Sequence, residues 1–127
     1  MILIVGGAYQ GKTEYAIEKY GLDRADIVDG EMFDFKNTDE IKCISNYHIA
    51  VKHFIENGTE PIEISEKLIE KNPDIIIIMN EIGNGIVPID KNDRVWREQT
   101  GKTGCFFAQK ADEVIRVTCG CGVKIKG

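Results

Sequence analysis

Short apolar runs alternate with amphipathic segments along the chain. The apolar runs predict strands at residues 1–5, 25–28, 75–79 and 113–118, and the third run is isoleucine-rich, as in a central strand buried on both faces. Apolar residues at helical spacing predict helices at residues 12–20, 44–56, 62–71 and 94–110, although Gly101 and Gly104 interrupt the pattern of the last. Strands that alternate with helices indicate an α/β fold with a mainly parallel central sheet flanked by helices.

Three segments fall outside this alternation. Residues 31–42 are polar and predict no regular element. Residues 80–90 are glycine-rich and predict a loop at the end of the isoleucine strand, a position where loops often approach a ligand or another subunit. Residues 120–127 predict a hairpin with the last strand.

Composition and charge fit one globular domain over residues 1–127. Hydrophobic residues make up 43% of the chain, enough to bury one core. The formal net charge is -5, which argues against a general nucleic-acid binder because such proteins usually carry a basic face. No apolar stretch reaches the roughly 18 residues that span a bilayer, and the N-terminus does not resemble a secretory leader. We therefore expect a cytoplasmic protein with no nucleic-acid or membrane partner.

The cysteines also favour a cytoplasmic location. Cys43, Cys105, Cys119 and Cys121 fit neither paired zinc knuckles nor a disulfide framework, so we expect reduced thiols. Cys119 and Cys121 form the one close pair. Strand and turn packing is the expected role of that pair, and a metal or redox site is the alternative.

One segment carries a specific nucleotide-binding pattern. It matches G-x-x-x-x-G-K-S/T at every fixed position and consists of Gly6, Gly7, Ala8, Tyr9, Gln10, Gly11, Lys12 and Thr13. A predicted strand precedes it and a predicted helix follows it, which is the context that a phosphate loop needs and that a chance glycine turn lacks. We therefore expect these eight residues to bind the phosphates of ATP or GTP.

Each residue type in this segment has a chemical reason. The glycines let backbone N–H groups turn toward an anion at the positive end of the following helix. Lys12 would reach the β- and γ-phosphates and stabilise the transferred phosphoryl group. The hydroxyl of Thr13 would bind Mg²⁺.

Two carboxylates could complete such a site. Phosphoryl transfer needs an acidic group near the metal ion or the attacking oxygen, and ligands of open α/β sheets lie at strand ends. Glu81 follows the isoleucine strand and is the candidate second metal ligand; the alternative is a solvated loop carboxylate. Asp29 follows the second predicted strand and is the candidate that activates the acceptor hydroxyl. Because Asp29 precedes Gly30, a plain turn residue is the alternative.

Several motifs occur in an order that resembles a known family. They are the phosphate loop, the Asn-Glu-Ile-Gly-Asn-Gly-Ile-Val-Pro segment at residues 80–88, the Arg-Val-Trp-Arg start of a helix at 94–97 with Gly101, and Ala-Asp-Glu-Val at 111–114 leading to Gly120. Together they resemble the bifunctional adenosylcobinamide kinase / adenosylcobinamide-phosphate guanylyltransferase family of cobalamin biosynthesis. The likeness covers about the first twenty residues and residues 73–127.

The resemblance implies a RecA-like P-loop NTPase fold and a homo-oligomer. It also implies phosphorylation of the cobinamide aminopropanol hydroxyl by ATP or GTP, followed by GMP transfer through a covalent histidine. The middle of the chain departs from the family, whose members carry a longer segment there with the nucleophilic histidine. His48 and His53 lie later and lack the family's arginine and tryptophan spacing, so we expect both to have surface or packing roles. The resemblance therefore favours the kinase activity and not the guanylyltransferase.

Three hypotheses follow from these patterns. The first is a Mg²⁺-dependent kinase of adenosylcobinamide, in which Lys12, Asp29 and Glu81 act on the phosphoryl group, the acceptor hydroxyl and the metal ion. The second is a non-catalytic nucleotide-binding regulatory subunit. The third is a P-loop kinase or NTPase that acts on a different small molecule. The sequence leaves open the acceptor, the choice of ATP or GTP, and the number of subunits.

Overall fold

The computed structural model describes residues 1–82 and 90–127, which form six strands and four helices. The strands are β1 (Ile2–Gly6), β2 (Ile27–Asp29), β3 (Cys43–Ser45), β4 (Ile76–Asn80), β5 (Glu113–Thr118) and β6 (Cys121–Lys126). The helices are α1 (Lys12–Tyr20), α2 (Tyr47–Glu56), α3 (Pro61–Lys71) and α4 (Lys91–Lys110), and a short 3-10 turn at Arg24–Asp26 precedes β2.

All six strands join one sheet in the order β2-β3-β4-β1-β5-β6. Strand β1 lies in the middle and pairs in parallel with β4 on one side and β5 on the other. Strands β2, β3 and β4 continue the parallel pairing, and β6 alone runs antiparallel to its neighbour. This confirms the predicted α/β class and places the carboxyl ends of five strands along one edge of the sheet.

Helices cover both faces of the sheet, as alternating side chains on the strands require. On β1, Leu3 belongs to a core shared with α2, α3 and α4, whereas Ile4 belongs to a smaller core under α1. The isoleucine-rich strand β4 divides in the same way, with Ile77 on the first side and Ile78 on the second. Both faces of β1 and β4 therefore pack against other elements and not against water, which explains their unbroken apolar sequences.

The sequence prediction missed one strand and misplaced one boundary. Residues 43–45 form the buried strand β3, and α2 begins after it at Tyr47 rather than at residue 44. A three-residue strand has too few positions to show a period of its own, and its pairing with β2 and β4 is what makes it a strand.

The fourth predicted helix is confirmed although Gly101 and Gly104 interrupt its sequence pattern. Helix α4 continues through Gly101 and Gly104 for 20 residues. Burial of Thr100, Thr103 and Phe107 against the core outweighs the cost of about 1 kcal/mol that each interior glycine adds. The loop predicted at 80–90 lies mostly outside the described residues, although its first residue, Asn80, is the last residue of β4.

The remaining predicted strands and helices, and the hairpin of β5 with β6, are confirmed within a few residues. Across residues 1–82 and 90–127, no helix combines the length and the apolar content that crossing a bilayer would take.

The larger core should depend on Phe54. Its side chain is 1% exposed, and its ring meets Phe33, Phe35 and Tyr47 edge to face at centroid distances of 6.2, 5.4 and 6.0 Å. Phe54→Ala should lower the free energy of unfolding by about 3–5 kcal/mol, measured by urea denaturation. Ile125→Ala, on the exposed strand β6, is the control and should change it by less than about 0.5 kcal/mol. Equal losses in the two variants would contradict this assignment of the core.

Candidate functional site

The phosphate-loop sequence lies between β1 and α1, at the carboxyl edge of the sheet. Gly11 precedes the helix with φ 83°, a conformation that glycine adopts at little cost. Tyr9 also has a positive φ of 59°, and its side chain is fully exposed. The chain thus turns sharply before α1, and the free N–H groups of the first helical turn face the end of the sheet.

Gly6 fixes the start of this loop against the neighbouring strands. A Cβ atom at Gly6 would lie 2.5 Å from the carbonyl oxygen of Val117 in β5, so a side chain does not fit there. The carbonyl oxygen of Gly6 accepts a hydrogen bond of 2.8 Å from the N–H of Glu81, directly after β4. The loop therefore begins from a position set on both sides by the sheet.

Gln10 fixes the end of the loop against the turn between β5 and β6. Its side-chain oxygen accepts from the Cys119 N–H at 2.7 Å, and its carbonyl oxygen accepts from the Gly120 N–H at 2.7 Å. A Cβ atom at Gly11 would lie 3.3 Å from the Cα of Gly120, so the two turns are in close contact. The Cys119–Cys121 segment is thus a packing turn, as expected, and its thiols are free and exposed.

The loop forms one wall of a cleft of about 440 Å³. This wall consists of Ala8, Tyr9, Gln10, Gly11, Lys12, Thr13 and Glu14. The opposite wall comes from β4 and from the junction of β3 with α2, and it consists of Asn46, His48, Ile49, Ile78 and Asn80. The predicted nucleotide-binding residues therefore face a cavity of ligand size rather than open solvent.

Lys12 lies inside this cleft. Its side chain is 8% exposed, and its Nζ donates a 2.6 Å hydrogen bond to the carbonyl oxygen of Gly7. Burial lowers the pKa of Lys12 from its ordinary value, and the negative charge of Glu81 partly opposes that shift. The ammonium group is held within the loop, where a bound phosphate would meet it.

His48 lies across the cleft from Lys12 and is 6% exposed. The N–H of Asn80 donates to Nδ1 of His48 at 3.1 Å, and the indole N–H of Trp96 donates to the His48 carbonyl oxygen at 2.7 Å. Burial and, to a smaller extent, the charge of Lys12 lower the pKa of His48 to about 4, and the charge of Asp29 partly opposes this shift. The ring is therefore neutral at physiological pH.

The two predicted carboxylates lie at the sheet edge but do not line this cleft. Glu81 forms an ion pair of 2.9 Å with Arg116 on β5 and borders a neighbouring apolar cavity of about 380 Å³. Asp29 is exposed and accepts hydrogen bonds from the Glu31 N–H at 2.9 Å and from the Asn46 side chain at 3.3 Å. The first of these bonds is the turn geometry given above as the alternative for Asp29.

The side chains that line the cleft include oxygen atoms that could bind Mg²⁺. Thr13, half-buried, brings a hydroxyl to the cleft wall, and Asn80 brings an amide. Within the described part of the chain, no three histidine, cysteine, aspartate or glutamate side chains cluster as a metal site. The oxygen atoms of a hydroxyl and an amide are ligands of the kind that Mg²⁺ takes, together with waters and substrate phosphates.

Sequence reasoning missed the wall opposite the phosphate loop. Asn46 and His48 reach the cleft because β3 ends at Ser45, and the prediction had placed residues 44–56 in one helix. The only available signal was the short run Cys43-Ile44-Ser45 before a polar residue. His53, the other histidine, is partly exposed on α2: its Nδ1 pairs with Glu56 at 3.5 Å, and its Nε2 is buried without a hydrogen-bond partner among the described residues.

Comparisons with known proteins give a family model and two relatives that share sequence with this chain. The family model described as cobinamide kinase / cobinamide phosphate guanyltransferase matches residues 39–125. Two relatives named bifunctional adenosylcobalamin biosynthesis protein CobU, from Salmonella typhimurium and Escherichia coli, are 42% and 40% identical over 52 residues. That stretch covers 41% of this chain and 29% of each relative, so the likeness spans less than a third of their length.

The family match differs in extent from the likeness seen in the sequence. It includes residues 39–72, where motif reasoning had found no correspondence, and it leaves out the phosphate loop. The assignment of residues 6–13 therefore rests on their own sequence pattern and on the geometry of the cleft.

Replacement of Gly6 should disturb the phosphate loop. In Gly6→Ala the new methyl group meets the Val117 carbonyl oxygen, so the free energy of unfolding should fall by about 1–3 kcal/mol. The matched control is Gly7→Ala, whose Cβ would lie 3.6 Å from the nearest atom, the Cγ of Gln10, and which should change it by less than about 0.5 kcal/mol. Urea denaturation measures both, and equal stabilities would show that β5 does not fix the loop.

The buried ring of His48 should make stability depend on pH. The unfolded chain takes up a proton near the ordinary pKa of 6.5, whereas the folded protein does so only near 4. The contribution of His48 is therefore fully present above pH 6.5 and is lost as the pH falls to 4, by about 1.4 kcal/mol per pH unit at most. His48→Asn should flatten the free energy of unfolding between pH 7 and 4, and His53→Asn is the control. An unchanged slope in His48→Asn would contradict the assignment.

Proposed function

Because the chain belongs to the cobinamide kinase / cobinamide phosphate guanyltransferase family, we propose that it is a Mg²⁺-dependent kinase of cobalamin biosynthesis. Its substrates are a nucleoside triphosphate, ATP or GTP, and a corrinoid alcohol, adenosylcobinamide. The fold is the α/β P-loop NTPase fold of this family. We expect it to act as a homo-oligomer in the cytoplasm.

One observation carries this proposal. The ammonium group of Lys12 is held by the Gly7 carbonyl inside a loop whose start is fixed by β5 and whose end is fixed by the turn that follows β5. The N-terminus of α1 faces the same cleft, and its free N–H groups carry partial positive charge. A fixed ammonium group beside fixed N–H groups is suited to a chain of phosphates, and the cleft of about 440 Å³ has room for one.

The roles of the residues follow from the charges that a phosphoryl transfer develops. Lys12 stabilises the negative charge on the transferred group, and this stabilisation needs no covalent step by the protein. Thr13 would hold the metal ion, with Glu81 as a second ligand once its carboxylate leaves Arg116. The metal ion would neutralise charge shared between the β- and γ-phosphates.

The reaction itself balances simply. The hydroxyl oxygen of the acceptor forms a bond to the γ-phosphorus, and the bond from that phosphorus to the β–γ bridging oxygen breaks. The nucleoside diphosphate leaves with the bonding electron pair. The hydroxyl proton passes to a base, for which Asp29 is our candidate. Asp29 is an exposed carboxylate at the end of β2, and it is close enough to the cleft for its charge to raise the pKa of His48.

The histidine geometry favours the kinase activity over guanylyl transfer. A covalent GMP intermediate would need an unprotonated ring nitrogen facing the nucleotide. In His48, the Nδ1 atom already accepts from the Asn80 N–H. His53 is paired with Glu56 and is not among the residues that line the cleft.

The proposal is tested by Lys12→Ala. Loss of the ammonium group should lower the rate of adenosylcobinamide phosphorylation about 100-fold or more and weaken binding of Mg-ATP and Mg-GTP in calorimetry. Lys19→Ala is the matched control, because Lys19 is an exposed lysine in the last turn of the same helix.

Other outcomes separate the rival functions. Equal phosphorylation rates in the wild type and Lys12→Ala would remove the loop from the mechanism. Nucleotide binding without turnover of any alcohol would support the regulatory subunit, and turnover of a non-corrinoid alcohol alone would support a different acceptor.

A further inference from the structure

Two helices, not one, begin at the phosphate cleft. Helix α1 starts from the phosphate loop, and α2 starts on the opposite wall at Asn46, which has a left-handed φ of 52° and makes no side-chain capping bond. Helix α2 has ten residues, and its N–H groups at this end carry partial positive charge toward the cleft. A helix start alone does not make a binding site, but the side chain in its first turn adds independent evidence.

That side chain is His48, and its hydrogen bonds define where its proton lies. Because Nδ1 accepts from a backbone N–H, it carries no proton. The ring is neutral, since burial holds its pKa near 4. Its single proton must therefore be on Nε2, on the other side of the ring, and Nε2–H is a hydrogen-bond donor.

This donor is without a partner among the described residues. The His48 bonds in residues 1–82 and 90–127 use Nδ1 and the backbone carbonyl oxygen, and none uses Nε2. The side chain is nevertheless more than nine-tenths buried and lines the cleft. Nε2 of His48 is not among the fully buried side-chain atoms that lack a hydrogen-bond partner in this part of the structure, so it is open to the cleft, where a ligand can accept its hydrogen bond.

The surroundings of His48 define the chemistry of that ligand. The cleft holds the ammonium group of Lys12 and the N-termini of α1 and α2, which favour negative charge, and the exposed carboxylate of Glu14, which also lines the cleft, opposes it. The backbone of Asn80 and the indole of Trp96 hold the ring and its backbone in place, so the donor is rigid. A rigid neutral donor beside these positive groups is suited to an anionic oxygen.

We propose that the first turn of α2 is a second phosphate-binding element, in which Nε2–H of His48 donates to an oxygen of the terminal phosphate held by the loop. The inference rests on the proposed function, because it assumes that the loop binds a polyphosphate. His48 is a binding residue in this arrangement, and it holds the phosphate from the side opposite Lys12. The ring keeps its proton throughout.

The experiment compares two amide variants of His48. In His48→Asn the amide oxygen can replace Nδ1 as the acceptor for the Asn80 N–H, but no atom reaches the position of Nε2. In His48→Gln the longer side chain can bring an amide N–H close to that position. Calorimetry with Mg-ATP and with Mg-tripolyphosphate measures affinity, the second probe having no base or sugar. Urea denaturation checks that each variant is folded.

We expect His48→Asn to bind both probes roughly ten- to a hundredfold more weakly than the wild type, as for loss of a hydrogen bond to a charged group. His48→Gln should recover most of the affinity. Nitrogen-15 NMR of the wild-type imidazole should show protonated Nε2 in the free protein and a shift of that N–H when tripolyphosphate binds. This readout needs no variant and would not move if His48 were only a packing residue.

The outcomes separate the inference from the proposed function. If Lys12→Ala abolishes binding while His48→Asn binds as the wild type does, the loop is a phosphate site and α2 is not. A proton on Nδ1, or an Nε2–H signal that tripolyphosphate leaves unchanged, also overturns the inference. If neither Lys12→Ala nor His48→Asn changes affinity, the proposed function fails together with it.

Discussion

The fold of the candidate site depends on the close contact between the phosphate loop and strand β5. At Gly6 the backbone comes so near the Val117 carbonyl that only a hydrogen atom fits between them. Four residues later, Gln10 joins the loop to the turn that follows β5 through two hydrogen bonds. These contacts convert a flexible glycine-rich segment into a fixed surface, and a fixed array of N–H groups binds an anion without first losing conformational entropy.

Much of the fold could be predicted because the burial of its central strands is visible in their apolar sequences. Strands β1 and β4 are buried on both faces, and no polar residue interrupts either apolar run. Strand β3 could not be predicted in this way. Its three residues are held by partners at residues 27–29 and 76–77, which are distant in sequence. The continuation of α4 through two glycines likewise depends on tertiary packing, which outweighs local propensity.

The candidate site, like the fold, could be predicted from the sequence only in part. The phosphate loop is contiguous, so its residue pattern alone located one wall of the cleft. The other wall combines the end of β4 with the start of α2, and His48 faces Lys12 only because β3 and β4 pair beside β1. Glu81 shows a further limit: its position after β4 was predicted, but its ion pair with Arg116, 35 residues away, was not. The position of Glu81 in the sequence predicted that it lies at the carboxyl edge of the sheet, but not which cavity its side chain borders.

The sheet order has a consequence for how the protein folds. The groups that hold the phosphate loop belong to β5 and to the turn at Cys119 and Gly120, and Cys119 is 109 residues from its partner Gln10 along the chain. Closing so long a loop costs entropy before the contact is made, so pairing of this kind is slow. The phosphate-loop segment therefore gains its binding shape only when β5 pairs beside β1. Phosphate binding is thereby coupled to completion of the sheet.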